Sequence, residues 1–158
     1  MSTPIPPALL KDGTHLLSLG FGSGLSPKAP GTFGTLAALP LWFLLQMLST
    51  PMYIVVVIAA FALGVYICGE TAKALGVHDH GGIVWDEFVG LWIALFLAPA
   101  NWFWVGLGFA LFRLFDIWKP WPIRVLDAKV HGGLGIMIDD VLAGFYAFVV
   151  LQLLYLWV

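Results

Sequence analysis

Apolar residues run through this chain in long blocks, and charged residues interrupt them at a few places only. All sixteen Lys, Arg, Asp and Glu residues lie between Lys11 and Asp140. Three stretches carry none of them: 29–69, 88–112 and 141–158. A membrane-crossing helix needs about 20 predominantly apolar residues, with a range of about 17–25. The first stretch predicts two spans, about 33–49 and 52–69, turned at Ser49-Thr50-Pro51. The last predicts one, about 140–158. The middle stretch is too short for two spans, yet Ala98-Pro99-Ala100-Asn101 reads as a turn. Two helices fit only by extending into charged residues, about 84–98 and 101–118.

That extension fixes the depth of the ionisable groups. Asp86 and Glu87 fall in the first turns of the third span, and Arg113 and Asp116 in the last turns of the fourth. Ionisable groups at such depth are costly and mark polar cavities. Lys11, Lys28, Lys73, Arg113, Lys119, Arg124 and Lys129 all fall on one side of a five-span arrangement, and the two opposite turns are uncharged. The positive-inside rule makes the charged side cytoplasmic, with the amino terminus inside and the carboxyl terminus outside. Trp102 and Trp104 then mark the outer edge, Trp118 and Trp121 the inner one. Ala60, Gly64 and Cys68 form a small-residue face suited to close helix packing.

Composition agrees. Of 158 residues, 61% are hydrophobic and 10% charged, with a mean hydropathy of +0.96. A soluble domain carries roughly a quarter charged residues. The expected fold is therefore all-α: one polytopic membrane domain over 1–158 with about five transmembrane helices. A glycine-rich interfacial or re-entrant segment, 1–32, precedes them. No cleavable signal peptide is expected, because prolines and glycines break the first thirty residues. The net charge of −2 argues against a nucleic-acid partner. The single cysteine, Cys68, excludes an intramolecular disulfide.

Three polar segments share the charged side. In the first, Gly20 to Gly34, glycines can turn backbone N–H groups toward an anion. Lys28, Ser23, Ser26 and Thr32 offer further donors, although taken alone the glycines favour a plain re-entrant or interfacial loop. The second holds His78, Asp79, His80, Asp86 and Glu87. Its oxygen ligands favour magnesium over zinc, which leaves the histidines in loop or supporting roles. The third runs from Arg113 and Asp116 through Lys119 and Arg124 to His131, Asp139 and Asp140. Arg113 and Asp116 share a helix face, so an ion pair and a catalytic role both remain open. Asp at the start of the last span is equally a normal cap. Together these segments bring five carboxylates from three helix ends beside several bases. Like charges so close need a cation or a shared proton. Metal-assisted chemistry on the phosphate of a membrane lipid follows.

Four segments, Gly22 to Thr32, Ile83 to Gly90, Phe112 to Pro120 and Gly132 to Gly144, follow in order over nearly the whole chain. Together they resemble the phosphatidylglycerophosphatase A family of bacterial membrane phosphatases. The resemblance implies Mg2+ dependence and hydrolysis of phosphatidylglycerophosphate to phosphatidylglycerol. It also implies residence among the lipids of the bacterial inner membrane, with the site at the cytoplasmic face. Asp86, Glu87, Asp116 and Asp139 are the expected main metal ligands and catalytic acids, with Asp140 and Asp79 supporting. Lys28, Arg113, Lys119 and Arg124, with Ser23, Ser26 and Thr32, are the expected phosphate-binding groups. Oligomeric state is left open. The rivals are a membrane phosphatidyltransferase, whose regularly spaced Gly and Asp pattern is absent, and a small cation transporter, which does not explain the basic, glycine-rich partners. Cys68 lacks the phosphate loop and arginine of a cysteine phosphatase.

Overall fold

Prolines and caps set most helix starts in this chain, and the computed structural model, which describes residues 4–158, shows where each takes effect. Among those residues every regular element is helical. The α-helices are α1 Gly13–Ser18, α2 Pro30–Leu45, α3 Thr50–Leu75, α4 Trp85–Ala94, α5 Trp102–Trp118, α6 Ile123–Lys129 and α7 Gly132–Trp157. Short 3-10 turns at Pro7–Lys11 and Gly20–Leu25 flank α1. Pro30 and Pro51 sit in first turns, where a missing N–H costs nothing. Asn101 caps α5 by accepting from the Trp104 N–H at 3.1 Å. Gly76, with φ of 67°, ends α3 in the left-handed region that glycine reaches without strain.

Two helices, α3 and α7, are long and apolar enough to cross a membrane, each with 26 residues and with an 18-residue stretch of mean hydropathy 2.4 and 1.9 respectively. The other three expected spans are shorter. With 16, 10 and 17 residues, α2, α4 and α5 rise about 24, 15 and 26 Å at 1.5 Å per residue. The expected span 84–98 proves to be a short interior helix. Eight of the ten residues of α4 are buried, and it packs against α2, α3, α5 and α7. Beyond its acidic first turn α4 is apolar all round, and here protein is what encloses it.

The carboxyl-terminal helix also differs from expectation. It begins at Gly132, eight residues before the predicted 140, so Asp139 and Asp140 lie more than one turn inside it. They do not cap the helix; His131 holds that position. Gly133, near its start, is a packing device. A Cβ on Gly133 would lie 1.7 Å from the Val65 carbonyl oxygen of α3. The central crossing works the same way, for a Cβ on Gly144 of α7 would meet the Gly90 carbonyl oxygen of α4 at 2.3 Å.

The small face of α3 is buried as its composition predicts: Trp85 donates its indole N–H to the Ala60 carbonyl at 3.0 Å, and Cys68 packs against Met137. The tryptophan belts fit less well. Trp102, Trp118 and Trp121 are exposed, but Trp104 is buried against the Tyr155 ring. Residues two apart on a helix point about 200° apart, so Trp102 and Trp104 cannot both face lipid. At the other end, a His15–Thr71–Ser18 hydrogen-bond network fastens α1 to α3. The Val84 N–H donates to the Ser18 carbonyl at 2.9 Å, so the amino-terminal segment packs beside the start of α4. The first three residues of the expected 1–32 segment lie outside the described residues.

Candidate active site

Three helix ends converge, and each delivers acid. The start of α4 supplies Asp86 and Glu87, where carboxylates complement the helix dipole. The end of α5 supplies Arg113 and Asp116, and the second and third turns of α7 supply Asp139 and Asp140. Arg113 stands between them. Its Nη1 lies 2.6 Å from each oxygen of Glu87 and also donates to Asp116 Oδ2. Glu87 is held from the far side by Thr35 of α2, whose hydroxyl lies 2.9 Å from Oε2 and 2.8 Å from the Gly31 carbonyl, sharing one proton between them.

Gly31 brings the start of α2 against this pair. A Cβ there would lie 2.4 Å from Glu87 Oε1 and 3.1 Å from Arg113 Nη1. Glu87, Asp116 and Asp140 each present an oxygen, and the three oxygens lie within 4.8 Å of one another. Among the described residues, Asp140 Oδ2 and Arg113 Nε are buried without a hydrogen-bond partner. Unpartnered buried groups of this kind are expensive, and a carboxylate oxygen so placed calls for a cation or a proton. Hard oxygens at this spacing fit a magnesium ion, which takes few direct carboxylates and keeps waters.

A second ion-pair set adjoins the first. Lys119 Nζ binds Asp139 Oδ2 at 2.7 Å and Asp127 Oδ1 at 3.1 Å. Burial works against the Lys119 charge, but Asp139 and then Asp127 outweigh it, so its pKa is raised. Asp86 has Glu87, Asp139, Asp79 and Asp116 as electrostatic neighbours, and its Oδ1 accepts from the Glu87 N–H at 3.0 Å. Loss of water pushes the Asp79 carboxyl up, with Lys119 opposing the shift. The five predicted acids, Asp86, Glu87, Asp116, Asp139 and Asp140, are thus brought together, with Asp79 at their edge.

The predicted phosphate-binding residues divide. Arg113 and Lys119 stand inside the cluster. Thr32 is half-buried in the first turn of α2, and Lys28 is exposed in the loop before it. Ser23 and Ser26 turn their hydroxyls into their own loop, donating to the carbonyls of Gly20 and Lys28 at 2.8 Å each. Arg124 is exposed on α6 and donates to the Trp118 carbonyl at 3.3 Å. His78 and His131 face each other, ring nitrogens 2.9 Å apart, and His80 Nδ1 accepts from the Gly82 N–H at 3.0 Å. Sequence reasoning missed Thr35, Gly31 and Asp127. Thr35 gave one signal, a polar residue early in an otherwise apolar span.

The family described as Phosphatidylglycerophosphatase A matches residues 16–155, which contain every acid of the cluster. The chain belongs to that family. Phosphatidylglycerophosphatase A of Escherichia coli strain K12 is 60% identical over 131 residues, 82% of this chain and 76% of its own length. Phosphatidylglycerophosphatase A of Haemophilus influenzae strain Rd is 48% identical over 158 residues, 99% of this chain and 97% of its own. Both carry the name of a phosphoric monoester hydrolase. No solved structure matches the chain. In this phosphatidylglycerophosphatase A family member, the converging acids and bases are therefore read as an enzyme's active site.

Proposed function

We propose that the protein hydrolyses phosphatidylglycerophosphate to phosphatidylglycerol and inorganic phosphate, using Mg2+, at the cytoplasmic face of a bacterial inner membrane. The observation that carries the reading is the buried cluster of Glu87, Asp116 and Asp140 around Arg113 in a chain of this family. The one-sided distribution of charge supports a five-span arrangement with the site facing inward.

Glu87, Asp116 and Asp140 are the residues best placed to hold the ion, with Asp86 and Asp139 beside them and Asp79 at the edge. Magnesium bound there would neutralise phosphate charge and so ease attack at phosphorus. The chain's own residues do the rest. Arg113 keeps Nη1 on Glu87 and Asp116, and its unpartnered Nε takes a phosphate oxygen. Lys28 and Thr32 flank Gly31 in the chain and approach the phosphate from the loop side. Asp140 Oδ2, without a partner, takes a proton from the attacking water. The water oxygen bonds to phosphorus as the P–O bond to glycerol breaks, and the glycerol oxygen takes up the proton that Asp140 accepted. The apolar faces of the bundle carry the tails.

Phosphate release from detergent-solubilised phosphatidylglycerophosphate tests the activity directly. A phosphatidyltransferase or a cation transporter would release none. Hydroxylamine trapping during turnover tests the step: a modified Asp86, Asp116, Asp139 or Asp140 would reveal an acyl phosphate and defeat direct attack by water.

A further inference from the structure

A cavity of about 370 Å³ opens next to the acid cluster, lined by Trp118, Lys119, Pro120, Trp121, Arg124 and Val125. Lys119 is its shared wall, for the same side chain binds Asp139 of the acid cluster. Asp139 and Asp127 already balance the Lys119 charge. Arg124 differs: among the described residues it has no carboxylate partner, only the Trp118 carbonyl that steadies it over the cavity. Trp118 and Trp121 are 59% and 78% exposed, and such rings settle at the depth of lipid headgroups. The cavity therefore offers an unbalanced guanidinium at headgroup level, beside the site but not within it.

Spacing decides what it reads. Arg113 lies in the last turns of α5 and Lys119 is the residue that caps its end, so six residues separate them by about 9 Å along the axis. The proposed substrate carries two phosphates, a terminal monoester and the diester that joins glycerol to the lipid. The three-carbon bridge between them, with its ester oxygens, reaches about 7 Å when extended, on bonds of about 1.5 Å. A monoester at Arg113 leaves the diester beside Lys119 and within reach of the flexible Arg124 side chain. Resting on the function proposed above, we infer that this cavity binds the phosphodiester of the same lipid through Arg124 and selects for substrates that have one.

Competition kinetics test it with the full-length protein in detergent and dihexanoyl lipids. Phosphatidylglycerol carries the diester without the monoester, and phosphatidic acid the monoester without the diester. Both compete with phosphatidylglycerophosphate for the wild-type enzyme. Arg124→Gln should raise the KM for substrate and the inhibition constant of phosphatidylglycerol each about ten-fold, as loss of a charged hydrogen bond does. It should leave kcat and the inhibition constant of phosphatidic acid unchanged, and Arg124→Lys should recover part of the loss. Equal changes for both competitors, or none for either, overturn the inference. Noncompetitive inhibition by phosphatidylglycerol would put a neighbouring lipid in the cavity and overturn it too. If the wild-type protein releases no phosphate, the function reading fails instead. Calorimetric titration of wild type and Arg124→Gln with phosphatidylglycerol then still decides the cavity.

Discussion

One nitrogen of Arg113, Nη1, lies 2.6 Å from both carboxylate oxygens of Glu87. A single donor group thus holds the first turn of α4 to the last turns of α5, and Asp116 draws on the same nitrogen. Removing one partner from such a buried set leaves uncompensated charge, at a cost of about 3–5 kcal/mol.

Arg113→Lys separates charge from shape. Lysine keeps the positive charge, but its single nitrogen cannot hold both carboxylates and also offer a second donor in the place of Nε. The expected outcome is a fall in kcat of roughly a hundred-fold, in the range seen when one preorganised donor is lost. Turnover by the purified, folded variant checks it. Wild-type kcat would reduce Arg113 to an ion-pair partner without a part in the reaction.

Thr35→Val keeps the volume and removes the hydroxyl that lies 2.9 Å from Glu87 Oε2. Hydrogen bonds to charged groups contribute about 1.5–3 kcal/mol, so a drop in kcat of ten-fold or more is expected. KM for the lipid should barely move, because Thr35 is buried and remote from the tails. A change confined to KM would show that the hydroxyl serves binding.

Gly144→Ala forces α7 away from the Gly90 carbonyl of α4. Overpacking of this kind costs about 1–3 kcal/mol. Gly106→Ala on α5 is the control, since a Cβ there meets nothing within 4 Å. Thermal unfolding in detergent should show a lower midpoint for the first variant and not for the second. Equal midpoints would mean that α4 and α7 have room to separate.

Chelation should abolish phosphate release, and added magnesium should restore it. Asp140→Asn should then raise the magnesium concentration needed for half-maximal rate, because it weakens one of three oxygens within 4.8 Å of one another. An unchanged magnesium curve would take Asp140 out of the ion's ligands.

A reporter fused after Val158 should read as periplasmic, as five crossings from an inside amino terminus require. A cytoplasmic signal would remove one crossing. The short, enclosed α4 is the first place to look for the missing one.

What the sequence made legible was whatever depends on near neighbours. Arg113 and Asp116 are three residues apart and pair as that spacing predicts. Asn101 and Pro30 mark helix starts by their own chemistry. Glu87 and Arg113 were placed on the same membrane side, but their contact spans 26 residues and depends on how α4 crosses α5. Uncharged residues hid the rest. The composition of α4 fits lipid and protein interior equally well, so its burial could not be read from the pattern. The use of Gly133, close approach to α3, depends on a neighbour the sequence does not reveal.

Gly31 has no side chain and no charge. A methyl group there would nonetheless begin 2.4 Å from Glu87 Oε1. A survey that ranks positions by lost turnover would set this glycine beside Glu87 itself. The damage from alanine would be a displaced ion pair, and chemical rescue by small acids or amines would fail, because nothing has been taken away for them to replace.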